Sequence, residues 1–180
     1  LTCSPSMDIL ISSNLERLIY RITGDDAAKT KELMEALAGS GEYEITEDMR
    51  GRLSDFASGF ATEEETHAAI RRLYDRTGYV MDTHTAVASH VYETEAKKTG
   101  VKTLLASTAS PYKFARSVME SMGQECDSAT DFDLVDRLAG LSGVKVPQAI
   151  EEIRSAGIIH DTVCDKTEME QTVRSILGLD

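Results

Sequence analysis

A chain of 180 residues with 19 basic against 31 acidic residues carries a net charge of −12. That balance excludes a sequence-independent grip on nucleic acid or on an anionic membrane, because both require clustered Lys and Arg. An ordinary apolar content permits a real core, while no apolar run approaches the roughly 20 residues of a membrane span and no signal-peptide pattern opens the chain.

Half of the acidic excess lies in residues 41–65, where eight acids meet two bases, and reads as a solvated helical face. Cys3, Cys126 and Cys164 are odd in number and far apart, without a C-x-x-C pair. A reduced, cytoplasmic setting fits them better than a disulfide scaffold or a zinc site, so no metal is expected. The opening "LTCSPSMDIL" reads like the interior of a longer chain, and we expect a fragment.

From the amino end, Ser13 and Glu16 have the spacing of a capping box, and Leu15, Leu18, Ile19 and Ile22 follow at helical intervals. Gly24 ends that helix. Asp25 or Asp26 opens a second one through Leu33, Met34 and Leu37, which a "GSG" loop closes at 39–41. Residues 46–77 predict two more helices. Met49, Leu53 and Phe56 mark the first; the second starts at a Thr62–Glu65 box, turns Ile70, Leu73 and Tyr74 inward and stops at Gly78.

The pattern then changes. "GYVMD" predicts a short strand ending at Asp82, followed by a helix "THTAVASHVYETEAKKTG" with Val87, Val91 and Tyr92 on its buried side. "VKTLLAS" predicts a second strand, and Ser110-Pro111 starts the next helix. Strand, helix, strand, helix argues for an α/β, helix-rich fold with a partial parallel sheet. In the tail, Leu134, Val135 and Leu138 mark a helix and Pro147 begins another with Ile150 and Ile153. "GIIHDTVC" suggests an edge strand, and an Asp165–Glu168 box opens a last helix carrying Met169, Val173, Ile176 and Leu177.

Ligands of open parallel sheets gather at strand carboxyl ends, where helix N-termini also point. Two corners answer to that description: Asp82-Thr83-His84-Thr85 and Ser107-Thr108-Ala109-Ser110. Their hydroxyls and free N–H groups suit a phosphate, a carboxylate or a heteroaromatic nitrogen, and equally suit plain helix capping. His84 beside Asp82 has the makings of a general base, though no nucleophile motif accompanies it. His90, six positions on, does not share its helical face for a metal pair. A third dense polar stretch, "SPSMDILISSN", surrounds Ile9-Leu10-Ile11. It serves either as turn chemistry or as the wall of a polar pocket facing the two corners. No G-x-G-x-x-G, P-loop or H-E-x-x-H is present.

"SPSMDILISSNLERLIY", "DTHTAVA" and "STASPYKF", in this order and spacing, resemble the threonine synthases, and specifically their carboxyl-terminal part. The family pattern runs SPSMDI…SSNFER, then D-P-H-T-A-V-G, then T-A-H-P or T-A-S-P before a lysine and a phenylalanine. The resemblance implies a fold type II pyridoxal-phosphate enzyme, a lyase of threonine biosynthesis. Its substrate would be O-phospho-L-homoserine, converted with water to L-threonine and phosphate.

Thr108 matches the hydroxyl residue that hydrogen-bonds the cofactor's pyridine nitrogen. Asp82, His84, Thr85, Ser107 and Ser110 would line the substrate cleft, while Ser4, Ser6 and Asn14 match motif positions without an assigned role. Thr83 stands where the family has proline, Ala88 where it has glycine and Leu15 where it has an aromatic residue. The Schiff-base lysine and the phosphate-binding loop lie upstream in the family, and Lys113 is on the wrong side of its corner to replace the lysine. No catalytic residue is therefore expected here, the amino-terminal part of the same enzyme is the implied partner, and the isolated chain is expected to be inactive.

The implied organisation is 1–38 as the start of the fragment, strand or loop plus helices of the large domain. Residues 39–77 would be an acidic helical insertion and 78–180 the α/β carboxyl-terminal part. Another fold type II amino-acid enzyme, or a non-catalytic binding module with helices 13–77 as its partner surface, are the alternatives.

Overall fold

In the computed structural model, which describes residues 1–95 and 100–179, the chain divides into two compact units, Leu1–Lys145 and Val146–Asp180. The first contains α1 (Ser13–Ile22), α2 (Ala27–Ser40), α3 (Glu47–Gly51), α4 (Glu63–Thr77), α5 (Thr83–Thr94), α6 (Ala115–Ser121) and α7 (Asp131–Ser142). Short 3-10 turns at Pro5–Met7 and Pro111–Phe114 precede α1 and α6. The second contains α8 (Gln148–Arg154) and α9 (Met169–Leu177). No described helix is long and apolar enough to cross a membrane.

The partial parallel sheet expected from the sequence is not formed: the described residues contain helices and irregular segments but no strand. Residues 79–82 and 101–108 belong to no helix and no strand, and neither do 157–164, where an edge strand was expected. The apolar and β-branched composition that suggested strands favours an extended backbone, but a strand exists only through a neighbour's ladder of N–H and C=O groups. Val80 and Met81 are instead buried among helices, whereas Leu104 is 98% exposed.

Two cores organise the first unit. In one, Ile19 and Ile22 of α1 meet Leu33 of α2 and Met49 of α3, with Tyr43, Ile45 and Leu53 packed around them. In the other, α4 packs on α5 and α6, and α6 on α7. Ile70, Met81, Val118, Met119, Met122, Leu134 and Leu138 are fully buried there. Arg116 ties α6 to the loop before α7, donating to the carbonyls of Cys126 and Ala129 at 2.9 Å each. Gly59 lets the loop before α4 approach α5: a Cβ there would stand 2.8 Å from Val91 Cγ1.

Several helix boundaries follow the sequence signals. Thr62 and Glu65 form the reciprocal box expected at α4, Gly78 closes that helix in the left-handed conformation, and Asp26 caps α2. A second box, unanticipated, joins Thr130 and Asp133 at α7. The Ser13–Glu16 box is absent because α1 starts one residue earlier, with Ser12 as its N-cap. At α9 only half of the expected box is made, Asp165 N–H donating to Glu168 at 3.4 Å. The expected helix following Asp82 is observed through Thr94; its continuation over 96–99 lies outside the described residues.

Leu134→Ala removes a side chain with no exposed surface and is expected to cost about 2–5 kcal/mol in urea unfolding. The two boxes also make stability depend on pH. The Thr62 N–H holds the Glu65 carboxyl below its ordinary range, and the Thr130 hydroxyl and N–H do the same for Asp133. A carboxyl made more acidic by folding stabilises the fold above its unfolded pKa, near 4, and gives this up as pH falls through the lower folded value. The urea midpoint should therefore fall on acidification below about pH 4, and less steeply in a Glu65→Gln/Asp133→Asn variant, in which neither site titrates. Equal acid dependence in the two proteins would contradict this.

Candidate functional site

Asp82 is completely buried at the N-cap of α5. Its Oδ1 accepts the N–H groups of His84 at 2.9 Å and Thr85 at 3.2 Å, while Oδ2 takes the Thr85 hydroxyl in a short hydrogen bond. A buried carboxylate is costly unless charge-assisted bonds and a helix N-terminus compensate it, and all of these are present.

Thr85 Oγ1 is also placed to donate to Ser107 Oγ at 2.9 Å. Its single proton is thus shared between Asp82 and Ser107. The two predicted corners are thereby joined through one hydroxyl, that of Thr85. Thr108, next along, is exposed, and among the described residues it makes no hydrogen bond. Ser110 is occupied otherwise: its hydroxyl accepts from Tyr112 N–H at 3.3 Å and opens the 3-10 turn.

His84 is fixed from both sides. Nε2 accepts the Ser6 N–H at 3.1 Å, Nδ1 stands 3.4 Å from Asp82 Oδ1, and the ring lies 4.8 Å from the Phe114 ring. An Nε2 that accepts and an Nδ1 facing a carboxylate specify the neutral Nδ1–H tautomer. In this arrangement both ring nitrogens are engaged, and the imidazole links the two segments.

Ser6 belongs to the third polar stretch, which the structure carries to the first corner. Thr83 Oγ1 donates to the Cys3 carbonyl at 2.8 Å, and Ser4 is buried. Thr2 grips Asp8 through its N–H at 2.7 Å and its hydroxyl at 2.9 Å, closing the turn between them. Asn14 is exposed on α1.

Sequence reasoning missed Thr83 as a contributor, treating it as a departure from a pattern. A proline there would have no hydroxyl for the Cys3 carbonyl. It also missed Phe114 as the surface against His84. The adjacent aromatic in "PYKF" was visible, but its contact over thirty positions of chain was not. Lys113 Nζ lies over that same Phe114 ring, 5.5 Å from its centre.

Comparison with known proteins agrees with this arrangement of motifs. The family model described as "Threonine synthase, C-terminal" matches residues 85–162. Human threonine synthase-like 1 is 37% identical over 122 residues, covering 67% of this chain and 16% of that protein. Threonine synthase from Methylobacillus glycogenes is 33% identical over 129 residues, covering 69% and 26%. The Saccharomyces cerevisiae enzyme is 32% identical over 163 residues, covering 80% and 32%. The chain thus spans only 16% to 32% of these relatives' lengths.

Among solved structures, a PLP-bound threonine synthase from Brucella melitensis aligns with a TM-score of 0.58 and 35% identity, over 76% of this chain and 30% of that one. Yeast threonine synthase aligns over 99% of this chain and 36% of its own, with a TM-score of 0.72; at 23% identity this is a likeness of fold.

The Asp82 network makes a quantitative prediction. Asp82→Ala strands three donors, two of them in fully buried contacts, and should cost about 3 kcal/mol or more in urea unfolding. Thr85→Val and Ser107→Ala should be non-additive by about 0.5–1.5 kcal/mol, because they remove two ends of one bond. Strict additivity would mean that the two corners are not coupled. By motif, sequence and fold together, the chain is related to the threonine synthases and corresponds to their carboxyl-terminal part.

Proposed function

We propose that these residues form the carboxyl-terminal portion of a cytoplasmic threonine synthase that uses pyridoxal phosphate to convert O-phospho-L-homoserine and water to L-threonine and phosphate. The observation that carries the reading is Thr108, whose exposed hydroxyl has no hydrogen-bond partner among the described residues, beside a corner in which the neighbouring hydroxyls are engaged. That donor fits one edge of the cofactor, the ring nitrogen, which asks for a single neutral hydrogen-bond partner. When bound, pyridoxal phosphate supplies an electron sink for the substrate's carbon chemistry.

This chain's own part is positional. Asp82 holds Thr85, Thr85 holds Ser107, and the Ser107 backbone sets the next residue, so Thr108 projects from a fixed point. A neutral hydroxyl does not hold a proton on the ring nitrogen, unlike a carboxylate, and so moderates the electron sink. His84, Ser107 and Ser110 flank the cleft on this reading. The lysine that holds the cofactor covalently, and the loop for its phosphate, belong to the amino-terminal part of the same enzyme. Lys113, with its ammonium over Phe114, serves the 3-10 turn instead.

The test uses the full-length natural enzyme with O-phosphohomoserine, serine and threonine as competing substrates, together with borohydride reduction and mapping of the labelled lysine. Threonine should form from phosphohomoserine, with the label outside residues 1–180. Thr108→Val should lose about three- to tenfold in kcat, the worth of one neutral hydrogen bond, while Thr108→Ser retains most of the rate. Residues 1–180 alone should form no threonine. Turnover of serine or threonine in preference to phosphohomoserine would assign a different amino-acid enzyme of the same fold class.

A further inference from the structure

Away from that corner, Cys3, Glu63 and His67 present Sγ, a carboxylate oxygen and an imidazole nitrogen within 4.8 Å of one another. Glu63 and His67 are four apart on α4 and share a face, with Glu63 Oε2 4.0 Å from His67 Nε2. Cys3 comes from sixty positions away and is held on both sides. Its N–H donates to both Glu63 oxygens at 3.2 Å, and its carbonyl accepts from Thr83.

One further fact concerns what the cluster lacks. Among the described residues, His67 Nε2 is buried without a hydrogen-bond partner, a costly condition for an imidazole nitrogen. A divalent cation relieves this condition by taking the imidazole lone pair. It also replaces the Cys3 thiol proton, which leaves to solvent as the metal–sulfur bond forms. Thiolate and carboxylate together then balance the charge of the ion.

We propose that Cys3, Glu63 and His67 form a zinc-class site of three protein ligands with an open fourth position, clamping residues 2–8 to α4. The mixed sulfur, nitrogen and oxygen set suits Zn²⁺ or Co²⁺ over the hard cations Mg²⁺ and Ca²⁺. Bonds of about 2.0–2.3 Å around a tetrahedral ion require the ligand atoms to close by up to about 1.5 Å from their present spacing, within reach of side-chain rotation. The half-exposed rim of His67 leaves an entry path. The inference is independent of the reading of Thr108.

The test is Co²⁺ titration of the full-length natural protein. One ion per chain should bind with a thiolate-to-cobalt charge-transfer band and the visible absorption of tetrahedral cobalt. Cys3→Ser should abolish the charge-transfer band, and His67→Gln and Glu63→Gln should weaken binding by about tenfold or more. Cys164→Ser should change neither. Loss of the band in Cys164→Ser, or its survival in Cys3→Ser, overturns the proposal. Should Cys3→Ser fail to fold, X-ray absorption of the unmutated protein loaded with one Zn²⁺ decides. One sulfur neighbour that persists in Cys164→Ser supports the site, and a shell of nitrogen and oxygen alone overturns it.

Discussion

The buried carboxylate of Asp82 is the constraint on which the rest of the structure turns. A charge with no exposed surface is tolerable only where its surroundings are built around it, and here three chain segments are recruited. Thr85 passes the constraint to Ser107 and the second corner, His84 passes it to Ser6, and Thr83 to Cys3. Residues that lie more than a hundred positions apart are thereby fixed relative to one buried side chain. The helix that supplies the cap, α5, is held in turn by α4, whose Ile70 and Ala69 sit in the core behind it.

The packing of the first unit explains why these polar segments converge. α4, α5, α6 and α7 bury an apolar set rich in methionine, whose flexible side chains fill the irregular spaces among helices of unequal length. Apolar residues that do not reach this core lie both on helices, as Val173 and Ile176 of α9 do, and in the irregular segments. Val101, Leu104, Ile158, Ile159 and Val163 are exposed, and so are Ile9, Leu10 and Ile11 before α1. Such segments have the composition of interior chain without an interior around them.

How much of this was legible in the sequence depends on the range of the interaction. Local signals were readable: the Thr62–Glu65 box, Gly78 as a helix stop, Asp26 as a cap, and the buried triplet Leu134, Val135 and Leu138. Each is decided within one or two turns of chain. The strands and the sheet were not readable, because pairing depends on a neighbour that the composition of a segment does not specify. The two corners were found as separate caps. That one hydroxyl of the first meets one of the second follows from the passage of the intervening chain, which local patterns do not encode. The Ser13–Glu16 box failed by a single residue of register, which suffices because a cap serves only the helix start next to it.

The distribution of protons at the corner makes the final distinction among its hydroxyls. Thr85 faces both the Asp82 carboxyl and the Ser107 oxygen and has one proton for the two. Ser107 is engaged there as an acceptor. Ser110 accepts from Tyr112 N–H, and its place in the 3-10 turn fixes its oxygen toward the backbone. Of the three hydroxyls in "STAS", Thr108 alone keeps both its proton and its lone pairs uncommitted among the described residues. The same network that immobilises the corner therefore selects which oxygen remains for a ligand. The selection comes from which oxygens the corner's own contacts occupy, before any ligand is considered.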